Sequence, residues 1–140
     1  MTFAGGCACG QARYGFDADP INVRICHCGL CRKATGAPFF ARALFPLAAL
    51  SRTGETVGHN SSPRIWRASC ARCGTAIYSE PNNDPPRIAV GIATLDDPEA
   101  LPPAIHIWTS SKLGWVDIED GRPQYPEGAP HDAHPYRPPK

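Results

Sequence analysis

A dominant charge of one sign is missing from this chain. Its 140 residues carry 14 Lys+Arg against 13 Asp+Glu, a formal net charge of +1, and the arginines are scattered along the sequence rather than clustered. A dedicated binder of nucleic acid or of an anionic membrane surface needs a basic footprint, so both partner classes are disfavoured. Long apolar runs are missing too: none approaches the roughly 18–20 residues that a membrane span requires. The opening Met1-Thr2-Phe3-Ala4-Gly5-Gly6 has neither the basic nor the apolar region of a secretion signal. The expectation is a cytoplasmic protein with no membrane partner. Helical stretches with several periodic turns are also scarce, which excludes a bundle.

What is present suits one globular domain. Apolar residues make up 42% of the chain, and a chain of this length is expected to fold around a single core. Proline (16) and glycine (13) together account for about a fifth of the residues, below the roughly 25–30% at which composition alone signals disorder. Short segments rich in β-branched and aromatic residues recur between turn signals: Gln11 to Phe16, Ile21 to Cys26, Phe39 to Phe45, Arg64 to Ser69, Thr75 to Ser79, Arg87 to Ala93 and Ile105 to Thr109. This pattern predicts an all-β domain of mostly antiparallel strands. The helical candidates are short: Leu30 to Thr35, Pro46 to Leu50 and Asp96 to Leu101. A domain over residues 1–125 is expected, followed by a proline-rich C-terminal tail over 126–140, with the chain extended on the surface from about Gly121.

Seven cysteines stand in three clusters: Cys7-Ala8-Cys9-Gly10, Cys26-His27-Cys28-Gly29-Leu30-Cys31 and Cys70-Ala71-Arg72-Cys73-Gly74. In a chain expected to stay in the reducing cytosol they read as metal ligands or reactive thiols rather than disulfides. In Cys-x-Cys an extended backbone puts alternate side chains on one face, so Cys7 and Cys9 present both sulfurs together, and His27 is turned away from Cys26 and Cys28. In Cys-x-x-Cys-Gly a tight turn gathers two thiolates, and Gly74 is suited to the positive φ that closes the knuckle.

Seven ligands divide as four plus three. A site with four protein ligands is closed and structural, whereas three leave a position for water or substrate. The economical partition makes Cys7, Cys9, Cys70 and Cys73 the closed site and Cys26, Cys28 and Cys31 the open one. Zinc suits these soft thiolates, giving two Zn²⁺ per chain. The competing possibility is that all the zinc is structural, with His27, His59 or His106 completing the second site.

The pattern Gly6-Cys7-x-Cys9-Gly10-x-x-Arg13-Tyr14, then Cys26-His27-Cys28-x-x-Cys31-Arg32-Lys33-x-x-Gly36-Ala37, then Cys70-x-x-Cys73-Gly74-Thr75-x-Ile77-Tyr78 resembles the glutathione-dependent formaldehyde-activating enzyme family, also called the centromere-protein-V-like family. The stretches His106-Ile107-Trp108-x-x-Ser111-Lys112-x-x-Trp115 and Asp120-Gly121-x-Pro123-Gln124-Tyr125 are similar to that family's C-terminal region, so the resemblance runs from about Gly5 to Tyr125. It implies an Mss4-like fold of small antiparallel sheets pinned by zinc, a structural zinc on the outer four cysteines and a catalytic one on Cys26, Cys28 and Cys31. It also implies a carbon–sulfur lyase whose name reaction joins formaldehyde to glutathione as S-hydroxymethylglutathione, with a small-molecule thiol such as glutathione as partner.

On that reading an exogenous thiol is activated as thiolate beside a small aldehyde. Arg32, Lys33 and Lys112 are candidates to hold a substrate carboxylate, although charged residues such as Arg32 and Lys33 equally suit a solvated surface. His106 or His27 is a candidate proton shuttle, although His106, inside a predicted strand, better suits a hydrogen-bonded structural role. Trp66, Trp108 and Trp115 are expected to fill the core or wall a pocket. His59 falls in the polar loop Gly58 to Pro63 and reads as solvated. The alternative function is a non-catalytic zinc-stabilised binding module for a protein or nucleic-acid partner.

Overall fold

A computed structural model describes residues 2–139. Its first strands follow the expected turn grammar: β1 (Phe3–Gly6) and β2 (Arg13–Phe16) form an antiparallel pair that pins Phe3 opposite Phe16. Then come β3 (Asn22–Cys26), the only α-helix, α1 (Gly29–Thr35), β4 (Phe40–Pro46), β5 (Leu50–Thr53), β6 (Thr56–Ser62), β7 (Ile65–Cys70), β8 (Ala76–Pro81), β9 (Arg87–Gly91) and β10 (Ile105–Ile107) among the described residues. Strands β1, β2 and β5 make a three-stranded sheet, and the others a seven-stranded sheet in the order β10-β3-β4-β9-β8-β7-β6. The expected all-β class is found, with one difference: β10 lies parallel to β3, so the larger sheet is mixed.

The seven segments anticipated from the sequence are β2, β3, β4, β7, β8, β9 and β10, with shifted ends. Strands β1, β5 and β6 were not anticipated. β6, Thr-Val-Gly-His-Asn-Ser-Ser, is the outer edge of its sheet and mostly exposed, so no buried face imposes an apolar alternation on it. His59 is therefore a strand residue paired with Arg67, not a loop residue, and it remains exposed. The expected helix at Pro46 to Leu50 shrinks to one 3₁₀ turn over Leu47–Ala49, because Leu50 already pairs with Phe16 in β5. Asp96 to Leu101 contains no helix: the Asp97 carboxylate accepts from the Glu99 N–H and closes a local turn, a local alternative to helix that aspartate favours.

The core lies between the two sheets. Tyr14 and Phe16 from the small sheet meet Val23, Ala43, Phe45, Ile88, Val90 and Tyr78 from one face of the large one. Phe16 and Phe45 stack at 3.8 Å between ring centroids, 4° from parallel, and Tyr14 meets Tyr78 edge-on. Alternation then turns the next residues of each strand to the opposite face. On that outer face the register aligns His59, Arg67, Ser79, Ala89, Leu44 and Asn22 in one cross-strand row. Of the tryptophans, Trp66 packs at the rim of the core, whereas Trp108 and Trp115 are exposed.

The chain beyond Gly121 is extended but docked against the sheet. Tyr125 N–H donates to the His106 carbonyl and His106 N–H to the Pro123 carbonyl, so this segment covers the open edge of β10. Further on, the fully buried Arg24 guanidinium donates to the carbonyls of Ala129, Pro130 and Ala133 at 2.9, 2.5 and 2.8 Å, and Asn22 donates to that of His131. A buried arginine with carbonyl partners thus takes the place that an apolar contact would fill.

Candidate metal centres and active site

The first cysteine cluster is built by a loop and a knuckle from distant parts of the chain. Cys7 follows β1, and Cys70 ends β7. The four sulfurs of Cys7, Cys9, Cys70 and Cys73 lie within 4.8 Å of one another, with Cys7 and Cys70 buried and Cys9 and Cys73 exposed. Gly74 has φ +78°, as the knuckle requires, and its N–H donates to the Cys70 carbonyl. Backbone donors are aimed at the sulfurs: Ala12 N–H at Cys7, and the N–H groups of Arg72 and Cys73 at Cys70. The Thr75 hydroxyl, 3.1 Å from the Cys73 sulfur, holds that thiol down to about 5. Such N–H···S and O–H···S contacts are the outer support that metal-thiolate sites use. Four clustered sulfurs whose negative charge is supported in this way suit a tetrahedral thiophilic ion, and one there would join the two sheets.

The second cluster sits where β3 runs into α1. Cys26 ends the strand, Cys28 caps the helix by accepting from the Cys31 N–H at 3.3 Å, and Cys31 lies one turn in, so the three sulfurs also fall within 4.8 Å. Gly36, at φ +70°, ends the helix in the left-handed conformation. Contacts with Cys26 and Cys31, helped by backbone N–H groups, pull the Cys28 thiol far below its usual range. The same sulfur contacts, with burial, push Cys26 far above it. Three adjacent sulfurs, two of them buried, do not all ionise without a cation, so the donor set fits a metal ion. Among the described residues no histidine joins either cluster.

The structure separates the other candidates. His27, fully buried, turns away from the cysteines as alternation required and faces His106, with Nε2 2.9 Å from His106 Nδ1. His106 Nε2 in turn lies 2.7 Å from an Asp120 carboxylate oxygen. Burial opposes ionisation of Asp120, but hydrogen bonds from His106 and Arg122 outweigh it and hold the carboxyl down to about 2. With Asp120 accepting, a neutral His106 carries its proton on Nε2, and its Nδ1 then accepts from His27 Nε2–H. Asp120 was legible only as part of a C-terminal motif, and nothing in its spacing paired it with His106. Arg32 donates to the carbonyls of His27 and Ser111 at 2.6 and 2.5 Å, and Lys112 to those of Leu113 and Val116 at 3.2 and 2.6 Å. Lys33 is exposed.

A cleft of about 740 Å³ opens between α1 and the outer face of the sheet, lined among others by Leu30, Lys33, Phe40, Ser61, Arg67 and Tyr78. It adjoins the Cys26, Cys28 and Cys31 cluster through Phe40 and Arg67. Phe40 packs against Cys26 and Cys31, and Arg67, only 9% exposed, places Nη2 3.6 Å from the Cys31 sulfur and Nε 3.0 Å from the Ser61 hydroxyl. Arg67 escaped sequence reasoning because it stands in an ordinary strand, and only the register brings it under α1. Neither this cleft nor one of similar volume beside Val23, Pro102 and Tyr136 is lined by a cysteine; the first is linked to the cluster through Phe40 and Arg67.

Fold and site together define a small all-β domain with two cysteine clusters of metal-ligand geometry, one of them beside a cleft. The description of the glutathione-dependent formaldehyde-activating enzymes matches residues 2–111, and the chain belongs to that family. No curated protein matches the sequence significantly. Among solved structures, that of a Rhodobacter sphaeroides protein is similar in fold, with a TM-score of 0.54 and 19% identity over 87% of this chain and 98% of the other.

Proposed function

We propose that the protein is a zinc-dependent carbon–sulfur lyase acting on a thiol adduct of a small carbonyl compound, with glutathione as the candidate thiol and formaldehyde or another small aldehyde as its partner. One observation carries this reading: the three sulfurs of Cys26, Cys28 and Cys31, with no fourth protein ligand among the described residues, sit beside the cleft that α1 and Arg67 border. The name of the family, glutathione-dependent formaldehyde-activating enzymes, supports the substrate pair.

Cys7, Cys9, Cys70 and Cys73 would hold a structural zinc, and Cys26, Cys28 and Cys31 a second, whose chemistry is to favour the thiolate form of a sulfur ligand. The adduct's hydroxyl loses its proton, the carbon–oxygen bond becomes a carbonyl, and the carbon–sulfur bond breaks with its electron pair on sulfur; synthesis is the reverse. The apolar walls at Leu30 and Phe40 exclude water from the adduct, and Lys33 at the cleft attracts a substrate carboxylate. Arg32 and Lys112 shape the surrounding loops through backbone carbonyls, while His106 positions His27. A thiolate-based site works in a reducing compartment, which supports a cytoplasmic location.

Replacing Cys28 by Ser tests the assignment. It should abolish turnover of the thiol adduct while the circular dichroism spectrum and one bound zinc per chain persist. Retained turnover would exclude the open site. Two inert zincs per chain in the unmodified protein, with no thiol taken up by native mass spectrometry, would favour a binding module.

A further inference from the structure

Two sheets have four edges, and three of these are covered or blunted. Beside β1 the Asp96 N–H donates to the Ala4 carbonyl and Leu95 bridges Gly5, while the segment around Gln124 covers β10. β5 is short and carries the exposed Arg52. β6 is left open. It runs from Thr56 to Ser62 with no Lys, Arg, Asp, Glu or Pro, and its bulge falls only near the end, between Asn60 and Ser62. Those are the devices that keep an edge strand from pairing with another chain.

The Ala71 N–H donates to the Glu55 carbonyl at 3.0 Å, and in an antiparallel pair hydrogen-bonded residues alternate with non-bonded ones. Val57 and His59 therefore bond to Ser69 and Arg67 in β7, and the N–H and C=O groups of Thr56, Gly58 and Asn60 point out of the sheet. These three residues are symmetric about Gly58. An antiparallel copy of the same strand, with a twofold axis at Gly58, sets Gly58 against Gly58 and Thr56 against Asn60 on either side, so every outward donor meets an acceptor. The nearest charges along the chain, Glu55 before the strand and Arg64 after it, have opposite signs, and this pairing brings the acidic end of one copy to the basic end of the other. The side chains fit the same axis. Val57, 60% exposed, falls opposite His59 of the second copy, and the Trp66 indole lies across Gly58 in the space a Cβ would fill, so the two indoles meet at the axis.

We infer that β6 pairs with β6 of a second copy of this chain about a twofold axis at Gly58, joining the two seven-stranded sheets into one. β6 also supplies His59, Asn60 and Ser61 to the lining of the cleft beside α1. Val57 of the second copy, opposite His59, then extends the rim of that cleft.

Sedimentation velocity of the zinc-loaded full chain should show the mass rising from monomer to dimer as concentration increases through the micromolar range. Val57→Lys sets a cation on the open edge, and Asn60→Pro removes one outward N–H without touching the bonds to β7. Each should weaken association by about tenfold or more, whereas Arg52→Ala, on the edge of β5, should leave it unchanged. Circular dichroism and zinc content show which variants stay folded, and Val57→Lys, an exposed side-chain change, carries the test if Asn60→Pro does not fold. Amide exchange reads the geometry directly: higher concentration should slow Thr56, Gly58 and Asn60 and leave Val57 and His59, already bonded to β7, as they were. A monomer at every concentration overturns the pairing, even if the edge takes up an unrelated extended peptide. A dimer that Val57→Lys leaves intact, or one that protects amides only outside β6, overturns it too.

Discussion

His27 Nε2 and His106 Nδ1 are 2.9 Å apart inside the protein, and Asp120 fixes the far side of the second ring at 2.7 Å. The contact couples the backbone of the Cys26–Cys31 loop to the chain that follows β10. Replacing His106 by Ala leaves the buried His27 Nε2–H without an acceptor, a loss of about 1–3 kcal/mol. Chemical denaturation should show that loss. His106→Gln, which offers His27 an acceptor again, should recover part of it. Equal stability of both variants would mean that the histidine pair contributes only its bulk.

The two cysteine clusters should respond differently to loss of a ligand. Cys7, Cys9, Cys70 and Cys73 bring the end of β1 to the end of β7, so Cys70→Ser is expected to lose one zinc together with cooperative unfolding. Cys28→Ser, confined to one short loop, should lose the other zinc with the sheets intact. Zinc counted by native mass spectrometry beside far-ultraviolet dichroism decides this, and unfolding of both variants alike would dissolve the division into structural and open sites.

Alkaline stability should report on Tyr14. Burial between the sheets, against the opposing pull of a 2.8 Å hydrogen bond with Thr94, raises its phenol to about 12. An acid whose folded value lies above its unfolded value of about 10 stabilises the fold fully below pH 10 and loses that contribution as pH climbs from 10 towards 12. At 1.36 kcal/mol per unit the contribution is about 3 kcal/mol. Tyr14→Phe should flatten the stability profile between pH 10 and 12. An unchanged slope there would place the titrating group elsewhere.

Legibility followed the physics of each element. The cysteine spacings could be read because Cys-x-Cys and Cys-x-x-Cys-Gly dictate sulfur geometry locally, and Gly74 has the positive φ the spacing asked for. The core strands could be read because burial imposes alternation. β6 could not, since an exposed edge strand need not alternate, and with it went the position of His59 on the rim of the cleft. Arg67 was hidden for a different reason: its meaning comes from sheet order, which sets β7 near α1 although 36 residues separate Arg67 from Cys31. Arg32 and Lys112 carried the right charge for substrate, but their reach to nearby carbonyls is a matter of loop geometry that spacing does not encode.

The docking of the C-terminal segment should depend on Arg24. Proline cannot donate a backbone hydrogen bond, so a proline-rich segment attaches to a sheet mainly through its carbonyls. A guanidinium with several N–H groups in one plane suits that task, and Arg24 uses two of its nitrogens on the carbonyls of Ala129, Pro130 and Ala133. Arg24→Met keeps much of the volume and removes every donor, stranding three carbonyls near a buried face. A loss of about 2–3 kcal/mol is expected, together with faster chymotrypsin cleavage after Tyr136, which the docked segment packs against the core. The zinc count should stay unchanged, because Arg24 touches neither cysteine cluster. Unaltered proteolysis after Tyr136 would show that the edge pairing of His106 with residues 123–125 holds the segment without Arg24.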